Sequence, residues 1–501
     1  MQTINWDLIT VQGDVTPLPF LHGIEAEYFL VNDVGVYPKP AIQQKIADSL
    51  AEECGKIIKR DFNKQNIPEK YYRKVMRIRT KDVKRKGLVV QVSYHSPQGE
   101  IEIDAIGKDP NLYDTSNYLV EVVTPPCETL YELLWWGSFL FKITNEAISN
   151  ISKKEDFNCN LMAFGSYPWK VSNFITCGDH HHIGIPSQKE RIVVYNLIRL
   201  FLPHLIALTV NSPFRNGKPD AVNLKIKKNN FFSPGNNIHS IRLLENDDQL
   251  GPNNEKYLPY LEKFDKRSFM DAVEKATVED ARFVDLFPFT KYNTIEVRAF
   301  DAQTTILRKV MIALLLQMIA AKAVDMLRND ERIPDIPAEY LFKLREDVIE
   351  RGILTTVSIV FQKQICNLLL DKNRNFCQTY FRSMIDESKK NDRMNHLIFS
   401  MIQLLTPQIK KYRLQNSCFL LPLLENLKAN GGYGHTPASR WLWEYAKIES
   451  TDKKMKMEKI CEKIIAQTKS SEKMWADPLI REHRSNPPDK CQAFYSLFQN
   501  I

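Results

Sequence analysis

Residues 19–30 read PFLHGIEAEYFL. After Gly23 the run is rich in aromatic and β-branched residues, which predicts a β-strand. Successive side chains of a strand point to opposite faces, so Glu25 and Glu27 project from one side. Their neighbours Ile24, Tyr28, Phe29 and Leu30 are apolar. Two like charges in such surroundings cost on the order of several kcal/mol each unless something positive compensates them. A hard divalent cation is one such compensation. An edge strand with one solvated face accounts for these two residues equally well when they are taken alone.

The same two-residue spacing recurs twice. His180 and His182 sit in CGDHHHIGIP, where His181 points the other way if the segment is extended, and Glu296 and Arg298 sit in NTIEVRAFD. Singly, such pairs are ordinary: strand histidines are commonly structural, and Glu-x-Arg is commonly a surface ion pair. Three pairs on three apolar-flanked strands are different, because one sheet can aim them all into one cavity. A further element is LYDTSNYLVEVVTPPCETL, with Asp114 and Glu121 seven residues apart. On a helix they share a face but stand about 10.5 Å apart along the axis, too far to meet one ion. Either the helix ends between them or one of them acts at longer range. Arg215 lies in the turn-rich NSPFRNGKPD and Arg242 in the strand-like IHSIRLL. Guanidinium forks suit phosphate and carboxylate oxygens, and structural ion pairs equally.

The whole chain frames these readings. At 501 residues it exceeds what a single core usually serves, which predicts two domains, 1–330 and 331–501. The first mixes strands at 179–185, 221–226, 238–244 and 294–301 with helices at 128–150 and 188–210, an α+β pattern. GLVVQVSY and GEIEIDAI predict a hairpin turning near Ser96-Pro97, and Val310–Leu327, interrupted by Gln317, Lys322 and Asp325, predicts a buried core helix. The second region reads as mostly helical. Its loop NGGYGHTPASRWLWEY, with His435 and Arg440, reads first as a helix cap and second as an active-site cover. The basic stretch 55–87 reads as an insertion, most simply a solvated helical hairpin. With 44% apolar and 26% charged residues, disorder and a disulfide scaffold are excluded. The net charge, 68 − 60 = +8, is too mild to indicate nucleic-acid binding without a clustered patch. Nine cysteines without a Cys-x-x-Cys pair, and a start without a signal peptide, predict reduced thiols and a cytoplasmic protein.

GIEAEYFL, DTSNYLVEVVTPP, HHHIGIP with the helix running to NSPFR, and TIEVRAFDAQ, taken in this order over residues 20 to 325, resemble the ATP-dependent carboxylate–amine ligases of the glutamate–cysteine ligase family. The resemblance implies a glutamine-synthetase-like fold, a curved antiparallel sheet with helices packed on one face. It implies ATP as co-substrate and two or three Mg2+ or Mn2+ ions. One ion site corresponds to Glu27, Asp114 and Glu121, and a second to Glu25, His180 and Glu296. Arg298 corresponds to the arginine that engages the substrate carboxylate or its phosphate; Arg215 and Arg242 would hold the transferred phosphoryl group, with His182 near the phosphates. The reaction implied is amide formation, γ-glutamyl in the leading case, through an acyl phosphate. Its acid would be glutamate, and its acceptor an amino acid such as cysteine or a peptide or protein amine. No membrane or nucleic acid is expected, and the oligomeric state is open. A phosphotransferase of the same fold and a non-catalytic nucleotide- or nucleic-acid-binding module are the alternatives. The stretch 55–87 and the region after 330 have no counterpart in the resemblance.

Overall fold

The computed structural model describes residues 17–62, 74–84, 86–96, 99–110, 118–155, 157–169, 176–220, 237–244, 257–275, 284–358, 362–367, isolated positions between 373 and 380, 391–414, 417–427 and 436–472. The strands are β1 (Leu21–Val31), β2 (Val75–Val83), β3 (Gly87–Ser96), β4 (Gly99–Pro110), β5 (Tyr118–Val123), β6 (Asn160–Met162), β7 (Gly178–Gly184), the short hairpin β8–β9 (Phe214–Arg215 and Lys218–Pro219), β10 (Leu286–Phe287) and β11 (Thr294–Asp301). The helices used below are α1 (Pro40–Phe62), α2 (Leu130–Lys154), α3 (Gln188–Thr209), α4 (Lys266–Ala272), α5 (Ile306–Arg328), α6 (Ala338–Arg351), α7 (Met394–Lys411), α8 (Leu421–Leu427), α9 (Pro437–Lys447) and α10 (Lys453–Lys469).

Nine strands form one antiparallel sheet in the order β10-β11-β7-β1-β5-β4-β3-β2, with β6 also paired to β1. Side-chain hydroxyls start the long helices where the sequence places them: Thr129, Ser187 and Thr305 accept from the amides of Glu132, Glu190 and Arg308. The apolar face of the sheet, including Ile24, Ala26, Tyr28, Val122, Ile183 and Val297, is buried in one core with these helices. α5 is buried almost all round, as its interrupted apolar run predicted. α3 and α5 are long and apolar enough to cross a membrane, and both lie largely inside the protein. The C-terminal region is mainly helical and completes this layer. Thr468 of α10 accepts from the amide of Ala163 at 3.2 Å, and Trp441 of α9 donates to Asn211 at 3.0 Å.

Two expectations need correction, and one open alternative is settled. Glu121 sits on a strand, β5, and not on a helix; Val120, Val122 and Val123 around it favour the pleated conformation. Residues 238–244 do not form a strand: Ser240 makes one bridge to Ser212, and the chain turns helical at Ile241. The basic stretch 55–87 is not a helical hairpin, since it supplies the end of α1 and then β2 at the sheet edge. Acidic side chains of β4, beyond the intervening β3, absorb part of its charge, with Arg79 bonded to Glu102 at 2.9 Å and, through Gln91, linked to Asp104. Charged edge strands of this kind resist unwanted pairing. The predicted strand at 221–226 and the candidate ligand Asp114 lie outside the described residues, as does His435.

Beneath the sheet, polar groups are knitted together. Gln317 of α5 accepts from the Phe20 amide at 3.1 Å and donates to His22 Nδ1 at 3.1 Å, and His22 Nε2 faces His181 Nδ1 at 2.9 Å. Because the Gln317 oxygen is taken, its amide nitrogen donates, which sets His22 as the Nε2–H tautomer. Burial lowers His22 to about 3, and likewise His204, packed against Tyr380, to about 3. Both are neutral when folded but titrate near 6.5 when unfolded, so the unfolded chain binds more protons between those values. Stability is therefore fully present above pH 6.5 and declines as pH falls towards 3, by about 1.4 kcal/mol per pH unit per histidine. Urea titrations between pH 7 and 5 should show this loss, and His204→Phe should make the decline shallower by about one such contribution.

Candidate active site

β1 runs between β7 and β5, and its register decides which side chains meet. Glu25 pairs with His180 on one side and Val123 on the other; Glu27 pairs with Glu121; His182 faces Gly23 and, across the other edge of β7, Glu296. The three two-residue spacings thus fall on adjacent strands and on one face. His180 Nδ1 lies 3.4 Å from Glu25 Oε2 and its Nε2 4.0 Å from Glu27 Oε1, while His182 Nε2 lies 3.3 Å from Glu25 Oε1. Thr294 holds the other ring nitrogen of His182 at 3.1 Å. Arg298 is ion-paired with Glu296 just after a register shift in β11 that follows Val297.

Charge balance follows from these contacts. Burial opposes ionisation of Glu25, but the His182 charge and hydrogen bonds from both histidines hold its carboxyl well below the usual range. Glu296 is likewise lowered against burial by Arg298 and His182. Burial, helped by the Arg298 charge, lowers His180 to about 4, leaving a neutral imidazole with a lone pair to offer. One donor atom each from Glu25, His180 and Glu296 lies within 4.8 Å of the others. Two ionised carboxylate oxygens and one neutral imidazole, with no thiolate, are a donor set that suits Mg2+ or Mn2+. The residues present therefore fit this group.

The second expected set is described only in part. Glu27 and Glu121 are cross-strand neighbours, and the third member, Asp114, is outside the described residues. Glu27 accepts from the Gly178 amide at 2.6 Å, and Glu121 is ion-paired with Lys86 in the β2–β3 turn. Nothing in the residue spacing singled out Lys86, whose contribution comes from the sheet's curl across two hairpins.

Arg242 lies buried at the start of a helical turn, its guanidinium packed on Gly178 and donating to the Arg298 carbonyl at 2.9 Å. Its Nε and Nη1 are buried without a hydrogen-bond partner among the described residues. Asp301, the last residue of β11, fixes this arrangement: it accepts from the Asn211 amide at 2.6 Å and from the Ser212 and Ser240 hydroxyls at 2.8 Å each. Asp301 is a positioning residue that lay inside the quoted TIEVRAFDAQ, yet spacing alone gave it no role. Arg215 lies three residues beyond Ser212 in the sequence. It sits in the β8–β9 hairpin, whose turn residues Asn216 and Gly217 have φ of 59° and 70°, and its Nε stands 3.3 Å from Asp220. Arg440 pairs with Glu425 at 3.4 Å and Thr436 caps α9, while the glycine-bearing part of this loop lies outside the described residues.

Comparison with known proteins agrees with the resemblance. Residues 163–338, from the approach to β7 through α5, match the model of glutamate–cysteine ligase family 2 (GCS2). A protein of Jannaschia sp. (strain CCS1), provisionally named glutamate–cysteine ligase 2, is 24% identical over 166 residues, covering 32% of this chain and 39% of its own. One of the same provisional name from Roseiflexus castenholzii is 28% identical over 151 residues, covering 29% of this chain and 34% of its own. The match thus spans less than half the length of these relatives. Among solved structures, the Francisella tularensis glutamate–cysteine ligase in complex with AMP aligns with 97% of this chain and 99% of its own, at 9% identity and a TM-score of 0.45. The chain is similar to the glutamate–cysteine ligase family over the segment that carries His180, His182, Arg215, Arg242, Glu296 and Arg298.

Two outcomes are expected. Glu296→Gln should weaken Mn2+ binding by at least about tenfold, measured by titration calorimetry, with the far-ultraviolet circular dichroism unchanged. Gly178→Ala would drive a Cβ into the Arg242 guanidinium and should cost about 1–3 kcal/mol in urea unfolding.

Proposed function

We propose that the protein is an ATP-dependent carboxylate–amine ligase, joining the side-chain carboxylate of glutamate or a related acid to an amine through an acyl phosphate. The observation that carries this reading is the convergence of Glu25, His180 and Glu296 beside Arg298 in the segment similar to the ligase family. A carboxylate is a poor electrophile in water, because its oxygen is a poor leaving group. Transfer of the ATP γ-phosphoryl group to that oxygen releases ADP. The amine then attacks the acyl carbon and phosphate departs with the oxygen, while the nitrogen loses a proton to give the neutral amide.

The residues of this site suit each demand. Divalent ions, when bound by Glu25, His180 and Glu296 and by the Glu27–Glu121 pair, supply neutralisation of phosphoryl charge. Arg298 offers a fork for the acid's carboxylate or the phosphoryl oxygens. The buried, unpartnered N–H groups of Arg242 supply a donor site that needs an anion. Lys86, ion-paired with Glu121, adds positive charge beside the Glu27–Glu121 pair. No disulfide links the described cysteines to one another, and a cytosolic setting with ATP and magnesium belongs to the same reading.

A phosphate-release assay with ATP, Mg2+, glutamate and a panel of amines tests it, with mass spectrometry of the product. Phosphate should appear only when acid and amine are both supplied, and Glu296→Gln should lower turnover by at least about a hundredfold. Arg298→Lys should chiefly raise the KM for the acid, since a point charge cannot replace a bidentate fork. A stable phosphorylated acid formed without any amine would identify a phosphotransferase instead.

A further inference from the structure

Next to the carboxylate–histidine cluster opens a hollow between the start of β1, β4, and the chain leaving β5. Its walls are apolar: Leu21, Ile101, Ile103, Val123 and Pro126, with the ring of Tyr292 at the rim. Tyr292 is 46% exposed, unusual for a large aromatic side chain in the loop that leads into the buried β11. The polar side chains in the lining are Glu25, His182, Thr294 and Thr124, whose hydroxyl already accepts from the Ile24 amide at 2.9 Å. Among the described residues that line it there is no lysine or arginine, and His182, the one basic ring, is already engaged with Glu25 at 3.3 Å and Thr294 at 3.1 Å.

This lining sorts the three reactants. The triphosphate and the acid both carry anionic oxygens and need the cations found elsewhere in the cluster, namely Arg298, Arg242 and Lys86. None of these lines the hollow. An alkylammonium ion has the opposite charge and a hydrocarbon tail, so it matches a carboxylate at one end and an apolar wall at the other. Glu25 also belongs to the set with His180 and Glu296, so a nitrogen held against it stands beside the place where the activated carbonyl would form.

Resting on the ligase reading, we propose that this hollow is the acceptor subsite and that the acceptor is a primary amine carrying an uncharged apolar substituent. The nitrogen lies towards Glu25, and the substituent packs on Leu21, Ile101, Ile103 and Val123. A free amino acid fits poorly, because its carboxylate would enter next to Glu25 without a guanidinium or ammonium partner in the lining. Burial of hydrocarbon sets the selectivity: each added methylene that reaches the wall improves affinity by about fourfold until the hollow is filled.

Titration calorimetry of the full chain with methylamine, butylamine, 3-methylbutylamine, leucinamide and leucine tests the proposal without requiring turnover. Affinity should rise from methylamine to 3-methylbutylamine, and leucinamide should bind at least about tenfold more tightly than leucine. Ile103→Trp should erase the gain from longer chains and leave ATP affinity as it was. Tyr292→Ala, at the exposed rim, should shrink that gain without touching the packed core, and it keeps the test valid if the tryptophan variant unfolds. Equal affinity for all the amines, equal binding of leucine and leucinamide, or loss of ATP affinity in Ile103→Trp would overturn it; the last result would place the nucleotide base in the hollow. Chain-length-dependent binding without amide formation in the phosphate-release assay would refute the ligase reading and leave the amine subsite standing.

Discussion

Everything in this molecule turns on the crowding of carboxylates along one face of a central strand. β1 is paired on both sides, so Glu25 and Glu27 cannot turn away from Glu121 on β5 or from the β7 and β11 side chains. Carboxylates this close repel one another, and each must be compensated where it stands. The protein does so with different means at each position: two imidazoles at Glu25, a backbone amide at Glu27, Lys86 at Glu121 and Arg298 at Glu296. A surface in that state is matched to hard cations, because Glu25 and Glu296 are already held ionised and aimed.

The reverse face of the sheet supplies the rigidity. There the same strands contribute Ile24, Ala26, Ile183 and Val297 to a continuous apolar core with the long helices. Several polar side chains that enter this layer have specific partners. Asp179 is ion-paired with Lys309 and accepts from the Gln303 amide at 2.8 Å, while His181 joins His22 and Gln317. A buried ion pair of this kind adds little net stability, but removing one partner strands the other charge. It therefore holds β7 to α5 in one register, and β7 is the strand that carries His180 and His182.

A second division runs along the sheet. Towards Glu27 and Glu121 the surroundings are cationic, with Arg242 under Gly178 and Lys86 at the turn. Towards the start of β1 they are apolar, with Leu21, Ile103 and Val123 around Glu25 and His182. Anionic and hydrocarbon chemistry are kept at opposite ends of one acidic row. The knot around Asp301 ties the cationic end to α9 through Asn211, so the C-terminal helical region braces the site although it supplies none of the clustered carboxylates.

How much of this was legible depended on the range of the interaction. Glu25 with Glu27, His180 with His182, and Glu296 with Arg298 could be placed on common faces because a strand repeats every two residues, a property of the local backbone. The core helix around Gln317 was legible for the same reason. The run around Glu121 stays ambiguous in the sequence because a short apolar segment fits helix and strand alike, and only pairing with β1 and β4 settles it. The basic stretch was misread because a strand at the sheet edge tolerates the charges of a solvated helix, and its neutralising partners Glu102 and Asp104 lie on another strand. Arg242 gained its role from a turn held by Ser212 and Asp301, residues 30 or more positions away. By itself, then, the chain determined which side chains share a face and which helices are buried, since both follow from periodicity. Tertiary structure alone decided which faces meet, because strand register depends on hydrogen bonds and packing between segments that lie far apart in the sequence.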